Sequence, residues 1–268
     1  NTAEYFRRFD MGAVAPGYLA NLIVMDDLSD LSVSMVFHRG KLVAKVWKPL
    51  FSVPPLTNRA LTHTVKVKPF TMEALRLPVS DDSQLVIDVV PGQIITRKRT
   101  AKVRVRDGFI VLDPEHDLLK LVVVERHKAT GNMGCGLVGG FGLRRGALAS
   151  SIAHDSHNIV AVGVTDGDIF AAIKEIEGMQ GGLVAVSEGR VLARLSLPVA
   201  GLLSPDPLEE VTANYLKIEK IARELGSRLA APFATLSFMA LPVIPALRLT
   251  DMGLVDVDAF KLVNSTTK

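Results

Sequence analysis

The chain has 268 residues, 48% of them apolar and 22% charged, with a formal net charge of +3. That composition fits a globular protein with a sizeable core and excludes a disordered one. The basic residues are scattered rather than striped, which argues against a nucleic-acid partner. No apolar run reaches the ~18 residues of a membrane span, and one cysteine, Cys135, excludes an internal disulfide and suits a reducing cytoplasm.

Residues 1–50 read as an incomplete module. NTAEYFRR suits a short helix with Ala3 and Phe6 or Tyr5 facing inward. A start at Asn1 without a secretory leader points to a processed or truncated product. MGAVAPGY is turn-rich, LANLIVMD reads as a strand, and SMVFHRGKLVAKV as a β-hairpin with Arg39-Gly40 at its tip. So few strands rarely bury a stable face alone, so this piece is expected to need partners from elsewhere. Segment 51–62 is expected to be a linker, with Pro54-Pro55 as an extended spacer.

Residues 63–268 are expected to form one α+β domain: an antiparallel or mixed sheet with helices on one or both faces. TVKVKPF alternates like a strand, although Pro69 limits its pairing. SQLVIDVVPG, QIITRKR, AKVRVRDGFIVL and LLKLVVVERHK supply further strands. GNMGCGLVGGFGLRRGA reads as a glycine-rich turn with Cys135 as apolar filler; its glycines suit close backbone approach or positive φ, and it fits no nucleotide-loop pattern. GDIFAAIKEIEGM has helical spacing, and GLVAVSEGRVLARLSLP is a hairpin turning at Glu188-Gly189. DPLEEVTANYLKIEKIARELGS is the clearest helix, with Pro207 in its first turn and Gly226 as its stop. APFATLSFMALPVIPALRLT is too interrupted by proline for a long helix and reads as core or subunit interface.

Two polar clusters carry possible chemistry. HDSHN, His154 to Asn158, lies between the β-type runs ALASSIA and IVAVGV. An imidazole titrates near neutral pH and shuttles protons, and a neighbouring carboxylate fixes its tautomer. His154, Asp155 and His157 are therefore candidate catalytic residues, and Asn158 a candidate substrate ligand. The same pattern also reads as a polar turn in which Asp155 and Asn158 satisfy backbone groups. As a metal site it is weak, and no metal ligand is assigned on this chain. ERHKATGN follows the run KLVVV and puts Glu125 and His127 at a strand end, either as substrate-binding groups or as a solvated edge. His38, His63 and His116 stand alone and receive no functional reading.

VVERHKATGN, GLVGGFGLRRGALASSIAHDSHNIVAVG, LSLPVAGLLS and PFATLSFMALPVIPALRLTDMGLVDV occur in this order. Together they resemble the C-terminal domain of bacterial adenine deaminases. NTAEYF…GAVAPGYLANLIVMD resembles the stretch after the barrel in the amidohydrolase superfamily, where the chain completes a small β-sandwich; Leu19 and Asn21 stand where that superfamily has acidic residues. The resemblance implies a metal-dependent aminohydrolase converting adenine and water to hypoxanthine and ammonia. It implies a divalent pair, manganese or iron, bound by an N-terminal barrel that this sequence does not contain. A cytoplasmic location is expected from the single cysteine and a homo-oligomer from the apolar tail of residues 232–249, and the resemblance suggests a fragment inactive alone whose HDSHN turn, with Glu125 and His127, caps the barrel's purine pocket. The alternatives are an architectural or oligomerisation domain without a catalytic role, a deaminase of a related amine, and an independent metal or ligand module.

Overall fold

The computed structural model describes residues 2–54, 58–79, 81 and 83–263. The chain divides into two compact units, Asn1–Leu56 and Thr57–Lys268. Residues 55–57, which include Pro55 of the expected spacer, lie outside the described residues.

The first unit holds the short helix α1 (Thr2–Tyr5) and an antiparallel meander of β1 (Leu22–Asp27), β2 (Ser32–His38), β3 (Lys41–Lys45) and β4 (Lys48–Pro49). Arg39 and Gly40 both have positive φ, 49° and 78°, the twist that a two-residue hairpin turn needs. No described residue of this unit is buried. Tyr5 and Phe6 do not face inward as expected; they stack edge to face on each other and stand 82% and 67% exposed. One turn of helix has no core here to receive them.

The second unit begins with α2 (Arg59–Thr62). It contains β5 (Ser83–Val89), β6 (Thr96–Lys102), β7 (Arg104–Arg106), β8 (Phe109–Val111), β9 (Leu119–Val124), β10 (Met133–Gly139), β11 (Ala147–Ser150) and β12 (Ile159–Gly163). There follow α3 (Asp166–Gly178), β13 (Gly182–Ser187), β14 (Arg190–Ser196), α4 (Leu208–Glu224), α5 (Pro232–Phe238), β15 (Leu247–Thr250), β16 (Gly253–Asp256) and β17 (Lys261–Val263). Eight of these strands form one sheet in the order β14-β13-β11-β12-β9-β10-β5-β6. Only β10 and β5 run parallel; the other pairs are antiparallel. The fold is the mixed α+β arrangement expected.

Helices cover both faces of this sheet, which is why its central strands read as unbroken apolar runs rather than alternating ones. On one face, Val122, Ala149 and Ala161 pack against Ile169, Ile173 and Ile176 of α3. On the other, Leu121, Leu148 and Val160 meet Ile218 of α4, Leu236 of α5 and Leu249 of β15. Thr165 caps α3 by accepting from the Asp168 amide at 3.1 Å. Pro207 occupies the N-cap position of α4 rather than its first turn, and Gly226, at φ 115°, ends the helix.

Two sequence expectations change. TVKVKPF buries Val65 and Val67 alternately yet joins no ladder; its register to the fold comes from single bonds such as Lys66 N–H to the Arg126 carbonyl at 2.8 Å. The glycine-rich stretch is not a turn: residues 133–139 form β10, central in the sheet, with Cys135 half-buried within it. Gly134 and Gly136 share one face of the strand, and the β15–β16 hairpin lies flush on it. A Cβ on Gly134 would sit 2.0 Å from the Thr250 carbonyl oxygen. Close backbone approach is what these glycines permit.

Candidate functional site

Strand register brings the two polar clusters together. Val124, the last residue of β9, pairs with both Ile159, the first of β12, and Met133, the first of β10. Glu125–His127, Asn132 and Asn158 therefore leave the sheet at one place. The β15–β16 turn adds Asp251 from across the β10 glycines.

Glu125 is buried, and its carboxylate is fully engaged by its own turn. It accepts from the amides of His127, Lys128 (2.8 Å) and Thr130 (2.9 Å), and from the Thr130 hydroxyl (3.1 Å). Burial alone would raise its pKa; the Thr130, Lys128 and His127 amides outweigh it and hold the group at about 2. His127 is exposed, with Nε2 2.8 Å from the Ser156 carbonyl. A carbonyl only accepts, so Nε2 carries the proton and Nδ1 is left toward solvent.

The HDSHN turn is tightly specified. The His154 amide donates to the Ser237 carbonyl at 2.9 Å, and its ring packs on Phe238 with centroids 4.2 Å apart. Asp155 and His157 hold positive φ, 64° and 48°, a conformation that costs non-glycine residues energy and persists only where surroundings impose it. The His157 amide donates to Ala153 O at 2.7 Å, while the His157 carbonyl accepts from Arg126 Nε. Burial first, then the charges of Arg126, His154 and His127, lower the His157 pKa; Asp155 opposes them weakly. His157 is thus a neutral imidazole at neutral pH. Its Nδ1 is buried without a hydrogen-bond partner, as is Asn158 Oδ1. Asn158 donates through Nδ2 to Asp251 Oδ1 at 3.1 Å, and Asn132 donates to the other oxygen of Asp251 at 3.3 Å.

All six residues singled out from sequence thus stand at one end of the sheet, but with different kinds of engagement. Glu125 is occupied by its turn, whereas His157 and Asn158 keep open buried atoms and Asp155 is exposed. Sequence reasoning missed Asp251 and Arg126. Arg126 stands between two residues that were singled out; Asp251 is 93 positions from Asn158, and only the β15–β16 approach reveals it. A cavity of about 170 Å³ opens beside Glu125, with Phe70, Gly131 and Met133 in its wall. Another of about 190 Å³ is lined by Phe238, the ring that carries His154. Neither is lined by an HDSHN side chain.

The donor set does not fit a resident metal. His127 Nε2 is spent on a carbonyl, His154 is stacked and Glu125 has no free oxygen. Among the described residues no trio of His, Cys, Asp or Glu side chains is placed to hold an ion. No helix among them is long and apolar enough to cross a membrane.

Comparison with known proteins agrees with the resemblance seen in the motifs. Residues 93–261 match the family model described as adenine deaminase C-terminal domain. The adenine deaminase of Dehalococcoides mccartyi (strain ATCC BAA-2266 / KCTC 15142 / 195) is 53% identical over 267 residues, covering 100% of this chain and 47% of its own. "Adenine deaminase 2" of Carboxydothermus hydrogenoformans is 47% identical over 264 residues, 98% of this chain and 46% of its own. The adenine deaminase of Desulfatibacillum aliphaticivorans is 44% identical over 268 residues, with 98% and 46% covered. The chain spans about half the length of the curated relatives it matches, in their C-terminal part. It belongs to the adenine deaminase family.

Proposed function

We propose that this chain is the C-terminal part of an enzyme that hydrolyses adenine and water to hypoxanthine and ammonia, and that its HDSHN turn closes over a purine pocket built mainly by the preceding half. The observation that carries this reading is the pair of open buried atoms, His157 Nδ1 and Asn158 Oδ1, in a cluster whose other polar groups are largely satisfied. Buried polar groups are rarely left unpaired without a use. The HDSHN turn lies beside two hollows and lines neither, one of them having Glu125 in its wall, which fits a pocket whose second wall comes from another segment. Asn158 Oδ1 is an acceptor suited to a purine ring N–H. His157, kept neutral, is suited to carry a proton to the departing ammonia, with Asp155 next to it and His154 fixed on Phe238. Glu125 and His127 complete the rim, Glu125 by shaping the turn.

The preceding half is also where the divalent pair, manganese or iron, would be bound; no step assigned to this chain runs through it. On the same reading the first unit completes a β-sandwich with that half, the isolated chain is inactive, and the protein works in the cytoplasm as a homo-oligomer. The test is His154→Ala, His157→Ala and Asn158→Ala in the full-length protein with adenine as substrate. The reading expects kcat/KM to fall tenfold or more for His157 and Asn158. Changes below threefold, about 0.7 kcal/mol, remove the pocket role.

A second reading is architectural, and Glu125 favours it: four donors from its own turn show polar groups here serving the fold. Altered subunit assembly with unaltered kinetics in the same variants would support it. Direct assay of related amines against adenine decides the substrate.

A further inference from the structure

Arg126 is 1% exposed, yet burial alone acts on its charge and no carboxylate pairs with it among the described residues. Its guanidinium instead spans two loops. Nε donates to the His157 carbonyl, and Nη2 donates to the Ala200 carbonyl at 3.1 Å. Nη1 is buried without a partner. The Ala200 loop is a tight turn, with Ala200 at φ 57° and Gly201 at φ 72°, closed by the Leu202 and Leu203 amides on Val199 O at 3.0 Å. It is anchored from behind by Ser151, whose hydroxyl donates to Gly201 O at 2.6 Å and accepts from the Gly182 amide at 2.8 Å. Gly201 presses on the guanidinium itself: a Cβ there would meet Nη1 at 2.7 Å and Cζ at 2.8 Å.

We propose that Arg126 is a positioning residue that locks the HDSHN turn against the 199–203 turn, with Gly201 as the seat of its guanidinium, and so fixes the place of His157. The role rests on the pocket reading above only for its effect on turnover. His157 holds a positive-φ backbone, and the charged donor on its carbonyl, together with its own amide bond to the Ala153 carbonyl, holds it there. A buried carbonyl losing that donor would relax the turn. The same guanidinium also disfavours a proton on the imidazole. The groups facing His157 are Arg126, His154, His127 and Asp155, of which only Asp155 pulls the other way. Arginine suits the task because its planar fork reaches two carbonyls at once, which a lysine ammonium on one flexible stem does not.

The test uses the full-length protein with Arg126→Met, Arg126→Lys and Gly201→Ala, read by adenine turnover and by NMR titration of labelled histidine. Removing the charge in R126M is expected to move the His157 titration upward and lower kcat at least tenfold, with KM changing less. R126K keeps the charge, so the titration is expected to stay near wild type while kcat still falls. G201A is expected to reproduce the kcat loss by displacing the guanidinium. A folded R126M that turns over within threefold of wild type and titrates unchanged overturns the proposal. Should R126M not fold, R126K decides: wild-type kcat in that variant overturns it equally. If His157→Ala is kinetically silent while R126M still shifts the titration, the pocket reading fails and the positioning role stands.

Discussion

At the scale of single residues, Glu125 is where chemistry and folding are easiest to separate. Its carboxylate is held at about 2 by amides and a hydroxyl of its own turn, against an ordinary value of 4.5. A carboxylate depressed in the folded state stabilises the protein above its unfolded pKa, and that contribution is lost as pH falls through the folded value. The window is therefore roughly pH 5 down to 2, and the contribution on the order of 3 kcal/mol. Glu125→Gln is expected to lower stability at neutral pH by about that amount and to flatten the acid limb of a stability–pH profile. An unchanged limb would show that the turn does not depend on the charge. The sequence showed Glu125 as a polar group at a strand end but not what it faces, because its partners are backbone amides, which carry no side-chain signal. His157 and Asn158 were legible as residue types in an odd place. Their open atoms were not, since these depend on Arg126 and Asp251 arriving from other strands.

At the scale of elements, β10 shows how glycine can mark a strand rather than end one. With Gly134 flush on the Thr250 carbonyl, Gly134→Ala must lift the β15–β16 hairpin or bend the central sheet. The expected cost is about 3 kcal/mol, as for overpacked cores. Gly178, the last residue of α3, has nothing within 4 Å of its would-be Cβ and no positive φ, so Gly178→Ala is expected to be neutral or stabilising by a few tenths of a kcal/mol. Thermal unfolding of the two variants checks the contrast, and equal effects would mean contact geometry is not what decides. The hairpins at Arg39-Gly40 and Glu188-Gly189, and the helices α3 and α4, were readable because turn chemistry and 3.6-residue spacing are local. The stretch 133–139 was not, because its glycines at alternate positions serve a hairpin more than a hundred residues downstream. TVKVKPF carried the alternation of a strand correctly, but pairing is a property of neighbours, and among the described residues no strand runs alongside it.

At the scale of the whole molecule, the two units differ in how they meet water. The second has a closed core on both faces of its sheet. The first buries nothing among its described residues and leaves Ile23, Val46 and Trp47 at 56%, 63% and 79% exposure. Covering an indole of that exposure is worth on the order of 3 kcal/mol, so this surface has a strong tendency to find a partner, and the reading above assigns the preceding half of the polypeptide. Trp47 is the one tryptophan of the chain, which makes it a direct reporter on its own unit. In the 268-residue protein its emission is expected to be that of a hydrated indole, readily quenched by iodide. In a protein extended by the preceding half the band should move to shorter wavelength and the quenching should fall several-fold, because removal from water is what both observables read. Identical spectra and quenching in the two proteins would mean that the meander stays uncovered, and completion of a shared sandwich would have to be abandoned, while the Arg126–His157 arrangement in the second unit would be untouched.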